Sequence, residues 1–191
     1  LASFTSGAYN TALGGQALNS NTTGSYNAAL GFQSLYNNTT ASNNTAVGYQ
    51  SLYANTTGNQ NTAVGYQSAY TSTTATAVTA VGRWALYLNT ANYNTAVGSA
   101  ALKVNSTGTA NTAVGADCLV QNTTGGGNTG VGSTDGVSYG GALYANTTGS
   151  GNAGFGGYDA AAGAAAASLR YNTTGSNNSA FGVSSLTNNT T

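Results

Sequence analysis

One phrase recurs along this chain. Asn-Thr-Ala-Val-Gly-Tyr-Gln-Ser begins at Asn44 and begins again at Asn61, 17 residues later. A fixed period of this kind constrains the fold more than any single residue, because each repeat becomes one structural unit that stacks on the next. With slots numbered from the first Asn, turns start at Asn10, Asn27, Asn44, Asn61, Val78, Asn94, Asn111, Asn128, Asn152 and Asn178. Most are 17 residues long; the turn at Val78 is one shorter, and those at Asn128 and Asn152 have 24 and 26 residues. The added residues fall between slots 5 and 8. Two loops, residues 133–141 and 157–167, therefore leave the same corner of consecutive turns and are expected to touch.

The columns describe a β-solenoid. Slot 5 is Gly in every turn, from Gly14 to Gly182, which marks a corner with positive φ or close backbone approach. Slot 4 is always apolar, slot 9 is Leu except at Ala69, slot 8 is small and slot 3 is Ala or Gly. β-Branched residues in slot 4 suit strands. The spacing from slot 4 to slot 9 lacks the three-and-four recurrence of a helix. The expected fold is all-β: a parallel β-solenoid, or β-roll, of about ten turns forming one domain over residues 1–191. Each turn carries two short strands, and like slots stack about 4.8 Å apart. Slots 4 and 9 form the core, with Val47, Val64 and Val81 in one column and Leu52, Leu86 and Leu102 in the other. Slot 12 is exposed. Val64→Asp is then severely destabilising, since it buries a charge. The Asn of slot 1 forms an amide ladder, and the Tyr residues of slots 6 and 10, among them Tyr49, Tyr66, Tyr36, Tyr53, Tyr70, Tyr87 and Tyr144, stack in rows.

Composition narrows the function. Only 3% of the residues are charged, three acidic and three basic, and there is no His. The three acids are all Asp, so Glu is also missing. Ser or Thr without a base is not an activated nucleophile, so an enzyme is not expected. The glycines follow the fold period and not a phosphate-binding pattern. Arg83, Lys103 and Arg170 make no cluster that would hold nucleic acid. No apolar run is long enough to span a membrane. A single Cys, Cys118, rules out an internal disulfide framework and reads as a small buried residue. The first residue is Leu1, as expected of a processed product or a segment of a longer chain.

The repeat Asn-Thr-Ala-Val-Gly-Tyr-Gln-Ser-Leu-Tyr-x-Asn-Thr-Thr-Gly resembles those of phage and bacterial surface fibre proteins. More distantly it resembles the head repeats of trimeric autotransporter adhesins, which build a left-handed parallel β-roll. The resemblance covers essentially the whole chain and implies an extracellular, cell-surface or virion fibre. Apolar slots 3 and 4 side by side fit a roll with one face inward and one against a neighbour, as in the trimeric heads.

Two columns are candidate sites. Sequons for N-glycosylation start in slot 12 at Asn21, Asn38, Asn55, Asn105, Asn122, Asn146, Asn172 and Asn189, with four more at Asn37, Asn43, Asn177 and Asn188. Either this column is a stacked turn held by Asn and Thr hydrogen bonds, or it carries N-linked glycans that keep an uncharged rod in solution. Asp117 lies in slot 7, and Asp135 and Asp159 lie in the two inserted loops, so all three carboxylates can approach one corner as a loop binding site. Carboxylates with loop carbonyls suit calcium, but no calcium-binding motif is present, and no cofactor or resident metal is expected. The favoured reading is a structural subunit of an extracellular fibre, glycosylated along one edge and joined end to end with other copies through its uncapped terminal turns. The competing reading is a trimeric receptor-binding adhesin or tail-fibre segment that recognises cell-surface glycans or receptors.

Overall fold

The computed structural model describes residues 6–134, 140–157 and 167–190. Every turn contributes one three-residue strand: β1 Thr11–Leu13, β2 Ala28–Leu30, β3 Thr45–Val47, β4 Thr62–Val64, β5 Thr79–Val81, β6 Thr95–Val97, β7 Thr112–Val114, β8 Thr129–Val131, β9 Ala153–Phe155 and β10 Ser179–Phe181. They form one ten-stranded sheet in chain order. All neighbours are parallel, and like slots pair throughout, as in Thr45↔Thr62, Ala46↔Ala63 and Val47↔Val64. The 17-residue period therefore sets the register directly. At about 4.8 Å per strand the sheet rises about 43 Å from β1 to β10.

Gly in slot 5 ends each strand. At Gly65 φ is +136°, and a Cβ there would stand 2.5 Å from the carbonyl oxygen of Gly82 in the next turn. Both the backbone angle and the lack of space demand glycine.

The arm beyond this corner is not the second strand expected from the sequence. Residues of slots 7 and 9 adopt positive φ in turn after turn, as at Gln50 (53°) and Leu52 (49°), and slot 17 does the same, as at Gln60 (60°). Left-handed backbone costs roughly 1–2 kcal/mol per non-glycine residue. Here it turns every second N–H along the arm onto an adjoining turn. Gln50 N–H donates to Phe32 O at 2.9 Å, Leu52 N–H to Ser68 O at 3.0 Å and Ala54 N–H to Tyr70 O at 3.1 Å. Inter-turn hydrogen bonding thus continues around the coil without extended geometry.

The core differs from the expected one in one column. Slot 9 is buried: Leu52, Leu86 and Leu102 are inaccessible to solvent. Slot 4 is not. Val47 and Val81 are half-buried and Val64 retains 36% of its surface. The residue between slots 2 and 4 turns inward instead, and Ala46, Ala63, Ala80, Ala96 and Ala113 are fully buried. The cause is the period of two: slots 2 and 4 share a face, slot 3 takes the other. The interior beside slot 9 Leu has room only for a methyl group.

The tightness of that interior shows at Cys118. It is buried, its thiol donates to Ala142 O at 3.3 Å, and burial pushes its pKa up to about 12. In the next turn slot 3 is Gly130 in place of Ala, and a Cβ there would lie 2.6 Å from Cys118 Sγ. The larger slot 8 residue is matched by a smaller slot 3 residue. Gly130→Ala is therefore expected to destabilise the chain by about 1–3 kcal/mol through overpacking, and the same change in a Cys118→Ala background to cost much less. Denaturant unfolding of both single variants and the double variant measures this; equal penalties in the two backgrounds would show that the pair is not coupled.

Candidate functional site

The slot 12 asparagines lie inside the rod. Asn21, Asn38, Asn55, Asn105, Asn122, Asn146 and Asn172 are fully buried, and Asn189 in the last turn is half-buried. The expected exposure of this column is thus corrected. Its amides form a ladder: Asn38 Nδ2 donates to Asn21 Oδ1 at 2.7 Å, Asn55 to Asn38 at 3.1 Å, Asn122 to Asn105 at 2.8 Å, Asn146 to Asn122 at 2.8 Å and Asn172 to Asn146 at 2.9 Å. Each Nδ2 also donates to the slot 15 carbonyl of its own turn, as Asn55 does to Gly58 O at 3.0 Å. Asn189 Nδ2 donates to Asn172 Oδ1 at 3.0 Å. A glycan is joined through Nδ2, and in the seven buried members that atom is enclosed. A sugar there would require the ladder to open. Of the remaining sequon residues, Asn43, Asn177 and Asn188 are exposed and Asn37 is half-buried.

Slot 1 is also buried but bonds differently from the expected amide ladder. Asn44 Oδ1 accepts the backbone N–H of Asn61 at 2.9 Å, while Asn44 Nδ2 donates to Gly58 O at 3.0 Å. One slot 15 carbonyl therefore receives both asparagines of its turn. The network has a fault at the turn of Asn61, where slot 12 is Ser72. Its short side chain donates to Asn89 O at 2.9 Å, and Asn55 Oδ1 below it is buried without a hydrogen-bond partner. An orphaned buried acceptor costs about 1–3 kcal/mol. Ser72→Asn is expected to complete the ladder and raise unfolding stability by about 1–2 kcal/mol. A denaturation midpoint at or below the parent's would show that no such vacancy in the bonding exists.

The outer columns are ordered as well. Tyr36, Tyr53, Tyr70 and Tyr87 in slot 10 stack with ring centroids 5.2–5.3 Å apart, and Tyr49 stacks on Tyr66 at 5.2 Å in slot 6. Lys103 and Val120 separate Tyr144 from this stack. The slot 7 glutamines form a largely half-buried outer ladder with no counterpart among the columns expected from the sequence. Gln33 Nε2 donates to Gln16 Oε1 at 2.8 Å, Gln50 to Gln33 at 2.8 Å and Gln67 to Gln50 at 2.9 Å. Trp84 closes it, donating Nε1–H to Gln67 Oε1 at 3.1 Å.

Asp117 stands in slot 7 two turns above Trp84. Asp135 and Asp159, and most of both inserted loops, lie outside the described residues. The described ends of the loops keep the repeat intact. Ala142 N–H donates to Gly132 O at 3.4 Å and Ser168 N–H to Gly156 O at 3.3 Å, the same slot 8 to slot 5 bond that Ala17 makes to Gly14. Among the described residues no group of three or more His, Cys, Asp or Glu could hold a metal. Asp117 instead borders a cavity of about 480 Å³ with Arg83, Trp84, Lys103, Gln121 and Tyr144.

Burial pushes the Asp117 carboxyl above the ordinary aspartate value, against the opposing pull of Lys103 and Arg83. The folded chain therefore holds this proton more tightly than the unfolded one. Its stabilising effect is present below the unfolded value, about 3.9, and is lost as pH rises through the folded value. As pH rises from below about 3.9, the parent should lose thermal stability relative to Asp117→Asn; a difference that stays constant, or changes in the other direction, contradicts this.

Comparison of the chain with protein-family models, curated proteins and solved structures finds no match in any of the three. No described helix is long and apolar enough to cross a membrane.

Proposed function

We propose that this chain is a rod-shaped segment of an extracellular fibre that associates side by side with other copies of itself. The observation behind this reading is the outward face of the sheet. Slot 4 presents Leu13, Leu30, Val64, Val97, Val114 and Phe181 to solvent as one continuous column, with Val47, Val81, Val131 and Phe155 half-buried between them. The slot 2 column beside it is Thr, Ala or Ser, so the face carries no charge. Exposed aromatics extend the surface on both flanks of the strand, with Phe32, Tyr49 and Tyr66 in slot 6 and Tyr9, Tyr26 and Tyr93 in slot 17. Soluble monomers seldom leave contiguous apolar patches larger than a few hundred Å².

The dimensions favour a bundle. Ten strands of three residues offer a face about 43 Å by 10 Å, on the order of 400 Å². A stable contact buries about 800 Å² on each partner. The sheet face alone falls short, and the aromatic flanks make up the rest. A three-fold bundle gives both flanks of every copy a partner, which accords with the resemblance of the repeat to trimeric heads. Extracellular placement rests on the same resemblance.

The test is sedimentation of the full chain across dilution, with a variant carrying Val47→Lys, Val64→Lys and Val81→Lys. The parent is expected to sediment as a defined oligomer, and the variant as a monomer with an unchanged circular dichroism spectrum, because charges on this face repel across the contact but need not enter the core. Val64→Asp is likewise expected to weaken assembly more than folding. A parent that is monomeric at every concentration, or a variant that assembles as before, overturns the proposal.

A further inference from the structure

The cavity beside Asp117 is where the outer columns break off. The glutamine ladder ends at Trp84, and the next slot 7 residue is Ala100. The slot 10 tyrosine stack ends at Tyr87, and the next two residues there are Lys103 and Val120. Both gaps fall on the same turns. The space left is about 480 Å³, within the range of small-ligand sites.

The replacements at the gap are chemically selective. The whole chain has three basic and three acidic residues, yet Arg83, Lys103 and Asp117 all line this one cavity. The chain's one Trp is there too. Arg83 and Lys103 are both held over the Trp84 ring, the guanidinium carbon 4.2 Å and the ammonium nitrogen 4.9 Å from its centroid. Each contact holds its cation at the indole, and the Asp117 carboxyl feels the pull of both. The indole is itself fixed by its bond to Gln67. Around the cations stand an acceptor, Asp117, an amide, Gln121, and the apolar surfaces of Val104, Val120 and Tyr144.

We propose that this cavity binds a carboxylate-bearing sugar, of the uronic or sialic acid type, as part of a glycan. Against Asp117 the two cations leave one net positive charge, which one carboxylate balances. Asp117 and Gln121 offer an acceptor and a donor to ring hydroxyls, and the Val and Tyr surfaces accept the C–H face of the sugar. A bare, multiply charged anion suits the site less well, because Asp117 would repel it and the apolar wall would go unused. A neutral sugar leaves that net positive charge uncompensated. The cavity lies on slots 6, 7, 10 and 11; through Arg83 it shares the slot 6 column with one flank of the self-association surface, but it takes in none of the slot 2 and slot 4 face, so Lys103→Gln in slot 10 and the slot 4 Lys variant separate the two readings.

Because Trp84 is the single Trp, its fluorescence reports directly on the cavity. The full chain is titrated with methyl glucuronide, with N-acetylneuraminic acid, with neutral methyl glucoside and with inorganic phosphate. A saturable change with at least one acidic sugar is expected, at least tenfold tighter than with methyl glucoside or phosphate. Lys103→Gln, checked for an unchanged melting transition and circular dichroism, is expected to weaken acidic-sugar binding about tenfold. If Lys103→Gln unfolds the chain, Gln121→Ala, on the exposed rim, serves in its place with the same expectation. The proposal is overturned if neither acidic sugar gives a saturable change, if methyl glucoside or phosphate binds as tightly, or if folded variants bind as the parent does.

Discussion

Hydrogen bonds between turns are what every other feature of this rod depends on, and the asparagine amide is the group that closes them inside. An amide donates and accepts at once, so it can stack on copies of itself indefinitely. A carboxylate column would place like charges about 4.8 Å apart, and a hydroxyl column lacks the reach. The slot 15 carbonyl ties the two asparagine columns together, as Gly58 O does for Asn44 and Asn55. This network explains a solenoid whose described interior holds mainly Leu, Ala and small polar residues, with Val78 and Cys118 among them. The apolar part of each turn is too small to stabilise it alone, and a buried amide network, satisfied apart from faults such as Asn55 Oδ1, holds the turns in one register.

The same economy of space governs what faces outward. A strand with a methyl group on its inner side and Val on its outer side is inverted relative to an ordinary half-buried strand. Ala63 is sealed while Val64 meets solvent. The apolar surface that the narrow interior cannot take is displayed along the sheet, and it is there that a partner gains most by burying it.

Much of this was legible in the residues. The period fixed turn number, strand register and the corners at slot 5, and the positions of the insertions survive in the bonds of Ala142 and Ser168. Hydrophobicity misplaced one column. Val in slot 4 is more apolar than Ala in slot 3, yet alternation groups slot 4 with the Thr of slot 2, and that grouping identifies the outer face. The slot 12 asparagines were open to two readings because Asn-Thr-Thr serves a buried turn and a sequon equally. The left-handed arm had no signal at all. Slot 7 holds Gln in the early turns and slot 9 holds Leu in most, rather than Gly or Asn, and their N–H groups bond adjoining turns; only slot 17 mixes Asn43, Asn177, Gly127 and Gly151 with Tyr, Gln and Ala.

A strictly repeating surface offers each ligand many equal sites and no particular one. Specificity in such a rod has to come from turns that break the pattern. The pattern falters first in the turns of Asn61 and Val78, where Ser72, Ala69 and Val78 replace Asn, Leu and Asn inside the rod. The outer columns fail just above, where Trp84, Ala100, Lys103 and Asp117 replace Gln and Tyr. The inner substitutions leave an orphaned Asn55 acceptor, and the outer ones leave a cavity lined by half of the chain's six charged residues. Copying a repeat preserves stability at each turn. The residues that depart from the copy carry no such benefit in the ladders they interrupt, which makes the charged cavity the part of the rod that folding explains least.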